Sequence, residues 1–291
     1  HRQSSAASDV YKRQVQIGET LYGSGVNDQF GAAGFDGGVG YGDTHLSKNG
    51  KVFAFASGYK NTGDFYRLIV YELVNGTWTN ITGNLPQTLV SGAEQSTMAL
   101  SRDGHTIVIG AYNINTNRTN AGRVYAYRYN GSSWTRLGDD NDMKGYTTNS
   151  ELGHHVDISD DGNRIFARAK AGGGGHINVY DWDGTDWNMH KNSLGNTQYS
   201  FKDALSLASN GRNMGNLGMS VSSDGNRVIV NTSTTDVIST WDYTPSGSAS
   251  WTMTPGYLTP PYLGYWKGTD ISDDGNTLVA VSYTHLRAHE T

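Results

Sequence analysis

The residues best suited to chemistry in this chain stand at one position of a repeated motif. His45, Asp157 and Asp270 each precede by five residues the glycine that ends a Ser-x-Asn/Asp-Gly sequence. An imidazole and two carboxylates that face one space could transfer protons in a hydrolase or lyase, or bind a polar ligand. Ala99 and Ser220 take this position in the other two copies. This variety fits either a specialised channel site or simple exposure to solvent, and the sequence leaves both open.

The acidic run that follows the second repeat is the other candidate for chemistry. It consists of Asp139, Asp140, Asn141 and Asp142, and Ca²⁺ takes its ligands from several charged oxygens. We therefore predict the candidate calcium site here, with a solvated polar turn as the alternative. No other cofactor is expected, and the chain has no cysteine that could bind a metal as a thiolate.

The sequence lacks two common catalytic motifs. It contains neither Gly-x-Ser-x-Gly nor His-Glu-x-x-His, and its histidines do not share one position of the repeat. His154 and His155 are adjacent, so on a strand they point to opposite faces and cannot both bind one ion. We therefore assign no catalytic residue and favour a protein that is not an enzyme. A hydrolase or lyase with acidic residues in a central channel is the alternative.

These residues must be positioned by the motif that carries them, which recurs with a period of about 56 residues. Its five copies are residues 46–50, 100–104, 158–162, 221–225 and 271–275. The Asn-Gly and Asp-Gly pairs predict hairpins with type I′ turns, in which both central residues have positive φ. We expect the recurring serine to bind local backbone groups in each turn.

A second repeated sequence pattern lies between successive copies of the Ser-x-Asn/Asp-Gly motif and contains a tryptophan in four repeats. These residues are Trp78, Trp134, Trp187 and Trp251. One tryptophan at the same place in every repeat is typical of a core between repeats. Two hairpins per repeat predict four strands, and the second strand is apolar enough to be buried on both faces.

The repeats predict an all-β chain that folds as a β-propeller of four-stranded antiparallel blades. About four complete blades are expected at approximately 35–90, 91–145, 150–200 and 214–258. Partial blades are expected at both ends, as a last strand over 15–21 and a first hairpin from residue 262. Closure as a ring of five blades and membership of a longer ring of about seven blades both stay open.

Both ends of the chain look foreign. Codons that could encode Asp9–Arg13 are the reverse complement of codons that could encode Ser282–Leu286, as in the inverted ends of a sequencing adapter. We therefore expect 1–14 and 282–291 to be non-native and 15–281 to be the propeller part.

The composition limits the classes of binding partner that the chain can have. The formal net charge is −5, whereas nucleic-acid binding proteins carry a basic face, so nucleic acid is excluded. No apolar run is long enough to cross a membrane. The absence of cysteine leaves the compartment undecided, and five Asn-x-Ser/Thr sequences give weak support for secretion. We expect a monomer.

Three segments carry a resemblance to a known family. The sequence 218–230, the Gly-Ala pair at 110–111 and the aromatic sequence 124–138 resemble FG-GAP-type repeats of the integrin α-like β-propeller class, over nearly all of 15–281. The resemblance implies a seven-bladed propeller on a secreted or cell-surface protein, used for recognition or adhesion to a protein or glycan. The chain departs from the family at loop 113–118, which lacks the acidic calcium ligands. A structural spacer in a larger protein is a further hypothesis.

Overall fold

The computed structural model describes ten segments of the chain. They are residues 16–21, 44–57, 67–85, 97–139, 143–170, 175–190, 214–232, 238–245, 250–254 and 266–282. Within these segments the chain forms eighteen strands and no helix. The segments expected to be non-native lie outside the described residues, except that Ser282 ends the last strand.

The strands form four antiparallel four-stranded sheets and one hairpin, numbered here blades 1 to 5. Blade 1 contains β1 (Thr44–Leu46), β2 (Val52–Ser57), β3 (Arg67–Val74) and β4 (Thr77–Asn80). Blade 2 contains β5 (Thr97–Leu100), β6 (Thr106–Ala111), β7 (Arg123–Tyr129) and β8 (Trp134–Leu137). Blade 3 contains β9 (His155–Ile158), β10 (Arg164–Ala169), β11 (His176–Trp182) and β12 (Trp187–Met189). Blade 4 contains β13 (Met214–Val221), β14 (Arg227–Thr232), β15 (Ile238–Thr244) and β16 (Ser250–Met253). Blade 5 contains β17 (Trp266–Ile271) and β18 (Leu278–Ser282).

The second strands of blades 2, 3 and 4 each lie between two hydrophobic cores. In β6, Ile107 and Ile109 pack in the core shared with blade 1, whereas Val108 packs in the core shared with blade 3. Every residue of β6 is buried. Alternate residues of a strand point to opposite faces of a sheet, so these three blades bury both faces against their neighbours. The predicted all-β propeller, with complete four-stranded blades and a partial one, is confirmed.

The recurring serine closes each inner hairpin, as predicted. In blade 2, the Ser101 hydroxyl accepts the amide of Thr106 at 2.9 Å and donates to Oδ1 of Asp103 at 2.6 Å. Oδ1 of Asp103 also accepts the amide of His105 at 2.9 Å. The other four copies repeat this network. The side chains thus satisfy backbone amides that the sharp reversal leaves without strand partners.

The predicted turn type is wrong for these inner hairpins. Among the Asn-Gly and Asp-Gly pairs that the structure describes, only Asn75 and Gly76, in the outer hairpin of blade 1, both have positive φ, at 52° and 85°. In the Ser-x-Asn/Asp-Gly turns of the described residues, the glycine alone has positive φ, as at Gly104 with 78°. The physical reason is that the serine hydroxyl and the carboxylate bridge the turn, so the aspartate does not need a left-handed conformation.

Residues 16–21, expected as an outer strand, form no strand. The indole of Trp78 donates to the carbonyl of Ile17 at 3.3 Å. In blade 2, the indole of Trp134 donates to the carbonyl of Ile81 at 2.7 Å, and Ile81 directly follows the outer strand of blade 1. Residues 16–21 therefore contact blade 1 in the same way that Ile81, which follows the outer strand of blade 1, contacts blade 2.

Candidate functional site

The innermost strands of all five blades surround one cavity of about 660 Å³. His45 of β1, Asp157 of β9 and Asp270 of β17 line it together. The repeat places them there because all three stand at the same distance from the turn at the end of the innermost strand. The structure thus brings the three sequence candidates to one space, and their role in chemistry stays a prediction.

Asp157 is held by backbone amides of two blades. Its Oδ1 accepts the amide of Ile158 at 2.8 Å, and its Oδ2 accepts the amide of Val221 in blade 4 at 3.0 Å. Burial raises the pKa of Asp157 to about 6, although these amides and the nearby charges of Lys48 and His45 oppose the rise. The carboxylate therefore joins β9 to β13 and changes charge near neutral pH.

Asp270 makes the corresponding contact one blade further on, with a freer side chain. Its Oδ1 accepts the amide of Ile271 at 2.8 Å and the hydroxyl of Ser220 in blade 4 at 2.8 Å. No described residue donates to its Oδ2, and the residue is exposed. One carboxylate oxygen of Asp270 is therefore available to a ligand.

Apolar side chains form part of the cavity wall. Leu46 and Leu100 line it beside the polar groups, and Leu46 is 58% exposed. His155 and Thr97 add polar groups at the end of the innermost strands that is remote from the turns, and Thr97 donates to the carbonyl of Gly153 at 2.9 Å. The cavity can hold a ligand with both an apolar and a polar part.

The opposite end of the cavity is bounded by the five inner turns. The second residue of each turn contacts the next blade through the backbone: Arg102 donates to the carbonyl of Asp160 at 3.0 Å, and Asp160 donates to that of Ser223 at 2.9 Å. In the same way, the amide of Ser223 donates to the carbonyl of Asp273 at 2.9 Å. In blade 1 the following residue, Asn49, donates to the carbonyl of Arg102 at 3.1 Å. A line of amides therefore connects all five blades at this end.

The side chains of the same turn position form an ion-pair cluster, called here the turn cluster, of Lys48, Arg102, Asp160, Ser223 and Asp273. Lys48 Nζ lies 2.7 Å from Asp160 and 3.1 Å from Asp273. Arg102 Nη1 lies 2.8 Å and 2.9 Å from the same two carboxylates. The Ser223 hydroxyl donates to Asp160 at 2.6 Å. These contacts join blade 1 to blades 3 and 5, so they cross the channel and close it at this end.

Two cations and two anions balance in the turn cluster. Burial alone would raise the pKa of Asp160, but hydrogen bonds from Lys48, Ser223 and Arg102 lower it overall. Hydrogen bonds from Arg102 and Lys48 lower the pKa of Asp273. The four charged groups therefore stay ionised at neutral pH and add no net charge to the cavity.

Sequence reasoning missed the turn cluster. Asp160 and Asp273 lie inside the hairpin turns, but the turn contacts belong to the next residues, Asp161 and Asp274. A signal was present, because the second position of an otherwise uniform motif holds two cations, two anions and a serine. When the charge at one repeat position differs between blades, oppositely charged side chains can form ion pairs across the central channel.

The candidate calcium site is only partly described. Asp139 lies two residues after the end of β8, and its carbonyl accepts Nη2 of Arg136 at 3.0 Å. Asp140, Asn141 and Asp142 lie outside the described residues. In the part of the chain that the structure describes, no group of three His, Asp or Glu side chains could hold a metal ion. Nor is any helix there long and apolar enough to span a bilayer.

The comparisons with known proteins agree with the fold. A functionally unknown protein from Desulfotomaculum acetoxidans has a TM-score of 0.53 at 13% identity, over 83% of this chain and 62% of its own. A nidogen/laminin complex structure has a TM-score of 0.45 at 12% identity, over 83% and 71%. A putative 6-phosphogluconolactonase from Bacteroides uniformis has 0.46 at 12%, over 82% and 77%.

No protein-family model and no curated protein sequence matches the chain. Identities this low show the fold alone, so the chain belongs to the class of β-propellers. The function must therefore be argued from the site itself.

Proposed function

We propose that this chain is a non-catalytic recognition module of the extracellular or cell-surface type, similar to FG-GAP-repeat propellers, which binds a protein or glycan partner as a monomer. The partner inserts a group into the channel from the end opposite the turn cluster. The observation that carries the proposal is the cavity of about 660 Å³, lined by non-identical side chains from all five blades. Its volume lies within the range of ligand pockets.

The contacts of the two acids favour binding over catalysis. Both oxygens of Asp157 accept backbone amides, and one of them links β9 to β13. A general acid or base must reach the substrate with the oxygen that carries the proton. Asp157 therefore links blade 3 to blade 4, whereas Asp270 has one oxygen that can accept a hydrogen bond from a ligand.

The glycosylation sequences support an extracellular location. Four of the five begin at asparagines that the structure describes as exposed: Asn75, Asn80, Asn117 and Asn130. Because these side chains are exposed, an oligosaccharide attached to them would extend into solvent.

The proposal is tested by blocking the channel. Ser220 lines the cavity on β13, and a Ser220→Phe side chain would fill part of it. We expect the wild-type chain to retain ligands on glycan and peptide arrays and Ser220→Phe to lose most of that signal. The exposed Ser132, in the outer hairpin of blade 2, provides the control variant Ser132→Phe. Binding that survives in Ser220→Phe with unchanged strength would place the recognition surface elsewhere.

A propeller hydrolase or lyase is the second candidate. One observation favours it, namely the pKa of about 6 at Asp157, because a carboxyl that changes charge near neutral pH suits general acid chemistry. Assays with glycoside, ester and uronic-acid polymer substrates test it. Turnover that Asp157→Asn abolishes and Asp186→Asn retains would replace the recognition proposal.

A further inference from the structure

We propose that the channel cavity selects a primary ammonium group carried on an alkyl chain, as in a lysine side chain of a partner or a free diamine. This inference rests on the proposed function, because it names the chemistry that the same cavity recognises. It depends on three features of the wall: its charge balance, its apolar surface and its composition.

The charge balance of the cavity is negative. Lys48 is the cavity-lining lysine, and it is already paired with Asp160 and Asp273 in the turn cluster. Among the described residues, the remaining ionisable groups that face the cavity are Asp157, Asp270 and the imidazoles of His45 and His155. β5 and β13 contribute no ionisable side chain to the wall. Two carboxylates in a partly enclosed space of low polarity attract a cation more strongly than they would in bulk water.

The position of the free oxygen fits a single ammonium group. Oδ1 of Asp270 is occupied by Ser220 and Ile271, whereas Oδ2 has no donor among the described residues. The hydroxyl of Ser220 also has lone pairs that can accept a hydrogen bond. An ammonium group has three donors and no acceptor, so it can bond both oxygens and donate its third hydrogen to water.

The apolar wall fits an alkyl stem. Leu46 and Leu100 line the cavity, and Leu46 is 58% exposed. A four- or five-carbon chain buries apolar surface against such side chains while its charged end stays at the carboxylate.

The lining composition argues against a quaternary ammonium ligand. Tri- and tetramethylated ammonium groups are recognised by cages of aromatic side chains. Among the described residues that line the cavity, there is no Phe, Tyr or Trp. The site therefore recognises hydrogen-bond donors, and methylation of the ammonium group should weaken binding.

The pH dependence follows from the groups that face the cavity. Below about pH 6, Asp157 becomes neutral because burial raises its pKa. This loss of negative charge lowers the attraction for a cation. Affinity should fall as the pH decreases from 7.5 to 5, whereas affinity for a neutral ligand would not.

Isothermal titration of the full chain tests the inference with matched probes. The charged probes are Nα-acetyl-lysine methylamide and cadaverine, and the neutral control is Nα,Nε-diacetyl-lysine methylamide. We expect both charged probes to bind at pH 7.5 at least about tenfold more tightly than the neutral one. Tighter binding of the lysine derivative would indicate a protein partner, and tighter binding of cadaverine a free amine.

Variants locate the site. Asp270→Asn keeps an acceptor for Ser220 and Ile271 but removes the charge, and it should weaken both charged probes about tenfold. Asp186→Asn removes an exposed charge in the outer hairpin of blade 3 and should leave the affinities unchanged. Equal affinity for charged and neutral probes, no binding of the charged probes, or an unchanged affinity in Asp270→Asn would overturn the inference. Array binding that Ser220→Phe abolishes would still support the proposed function in each of those cases.

Discussion

The two regions of the central channel are built from the same repeat and use it in opposite ways. In the turn cluster, every cation lies within 3.1 Å of a carboxylate of another blade, and the backbone amides continue the connection from blade to blade. In the cavity, Asp157 and Asp270 have backbone and hydroxyl donors but no paired cation within salt-bridge distance among the described residues. The difference indicates that the turn cluster stabilises the arrangement of blades, whereas the cavity is open to a ligand.

The largest effect is expected where an inner turn meets the preceding blade. Gly104 has φ of +78°, and a Cβ there would collide with the side chain of Val52. Gly50 occupies the same motif position with φ of +70° and has open space around it. We expect Gly104→Ala to lower the free energy of unfolding by about 3 kcal/mol and Gly50→Ala by about 1 kcal/mol, because only Gly104→Ala adds a clash to the backbone strain.

Denaturant titration of the two glycine variants measures this difference. If both variants lose the same stability, the contact between the turn and the preceding blade contributes nothing, and the structural role assigned to the turn end is wrong.

The next effect concerns the pH dependence of the cavity. A carboxyl whose pKa is raised on folding, as for Asp157 at about 6, stabilises the protein at acidic pH. That contribution is lost as the pH rises from about 4 to above 6. Relative to Asp157→Asn, which stays neutral, the wild-type chain should lose up to about 3 kcal/mol of stability between pH 4 and 7. Unfolding curves at successive pH values measure the gap, and a constant gap would mean that Asp157 is hydrated like an ordinary aspartate.

The turn cluster should show the opposite pH dependence. The pKa of Asp160 is lowered on folding, so its contribution is present at neutral pH and is lost as the pH falls through the folded pKa. Asp160 is 14% exposed and Asp273 is 54% exposed. We expect Asp160→Ala to cost about 2 kcal/mol at pH 7 and Asp273→Ala distinctly less, because solvent screens the exposed carboxylate. Thermal unfolding at pH 7 and pH 3 compares them, and equal costs would count against a cluster centred on Asp160.

The smallest effect on stability is expected at the ligand side of the cavity. Asp270→Asn retains an oxygen for Ser220 and Ile271, and the residue is exposed. Its free energy of unfolding should change by less than about 0.5 kcal/mol. A loss above 2 kcal/mol in denaturant titration would show that Asp270 is a structural residue like Asp160.

Much of the fold could be predicted because its causes are local. The Ser-x-Asn/Asp-Gly motif satisfies its own backbone within five residues, as Ser101 does for Thr106. The apolar second strand, such as 106–111, indicates burial on both faces without reference to any partner. Turn geometry was less predictable, because the hydroxyl bridge removes the need for positive φ that Asn-Gly and Asp-Gly pairs otherwise suggest.

The sequence by itself determined that this protein is a repeat of paired hairpins, and that His45, Asp157 and Asp270 share one register. The alternation of polar and apolar residues and the residue types of the turns act over a few residues, so both can be recognised in the sequence. Only the tertiary structure decided that Lys48 meets Asp273 and that Asp157 accepts the amide of Val221. Those contacts join residues 225 and 64 positions apart, and they exist because stacking the blades about one axis brings equivalent positions of different repeats within a few ångströms.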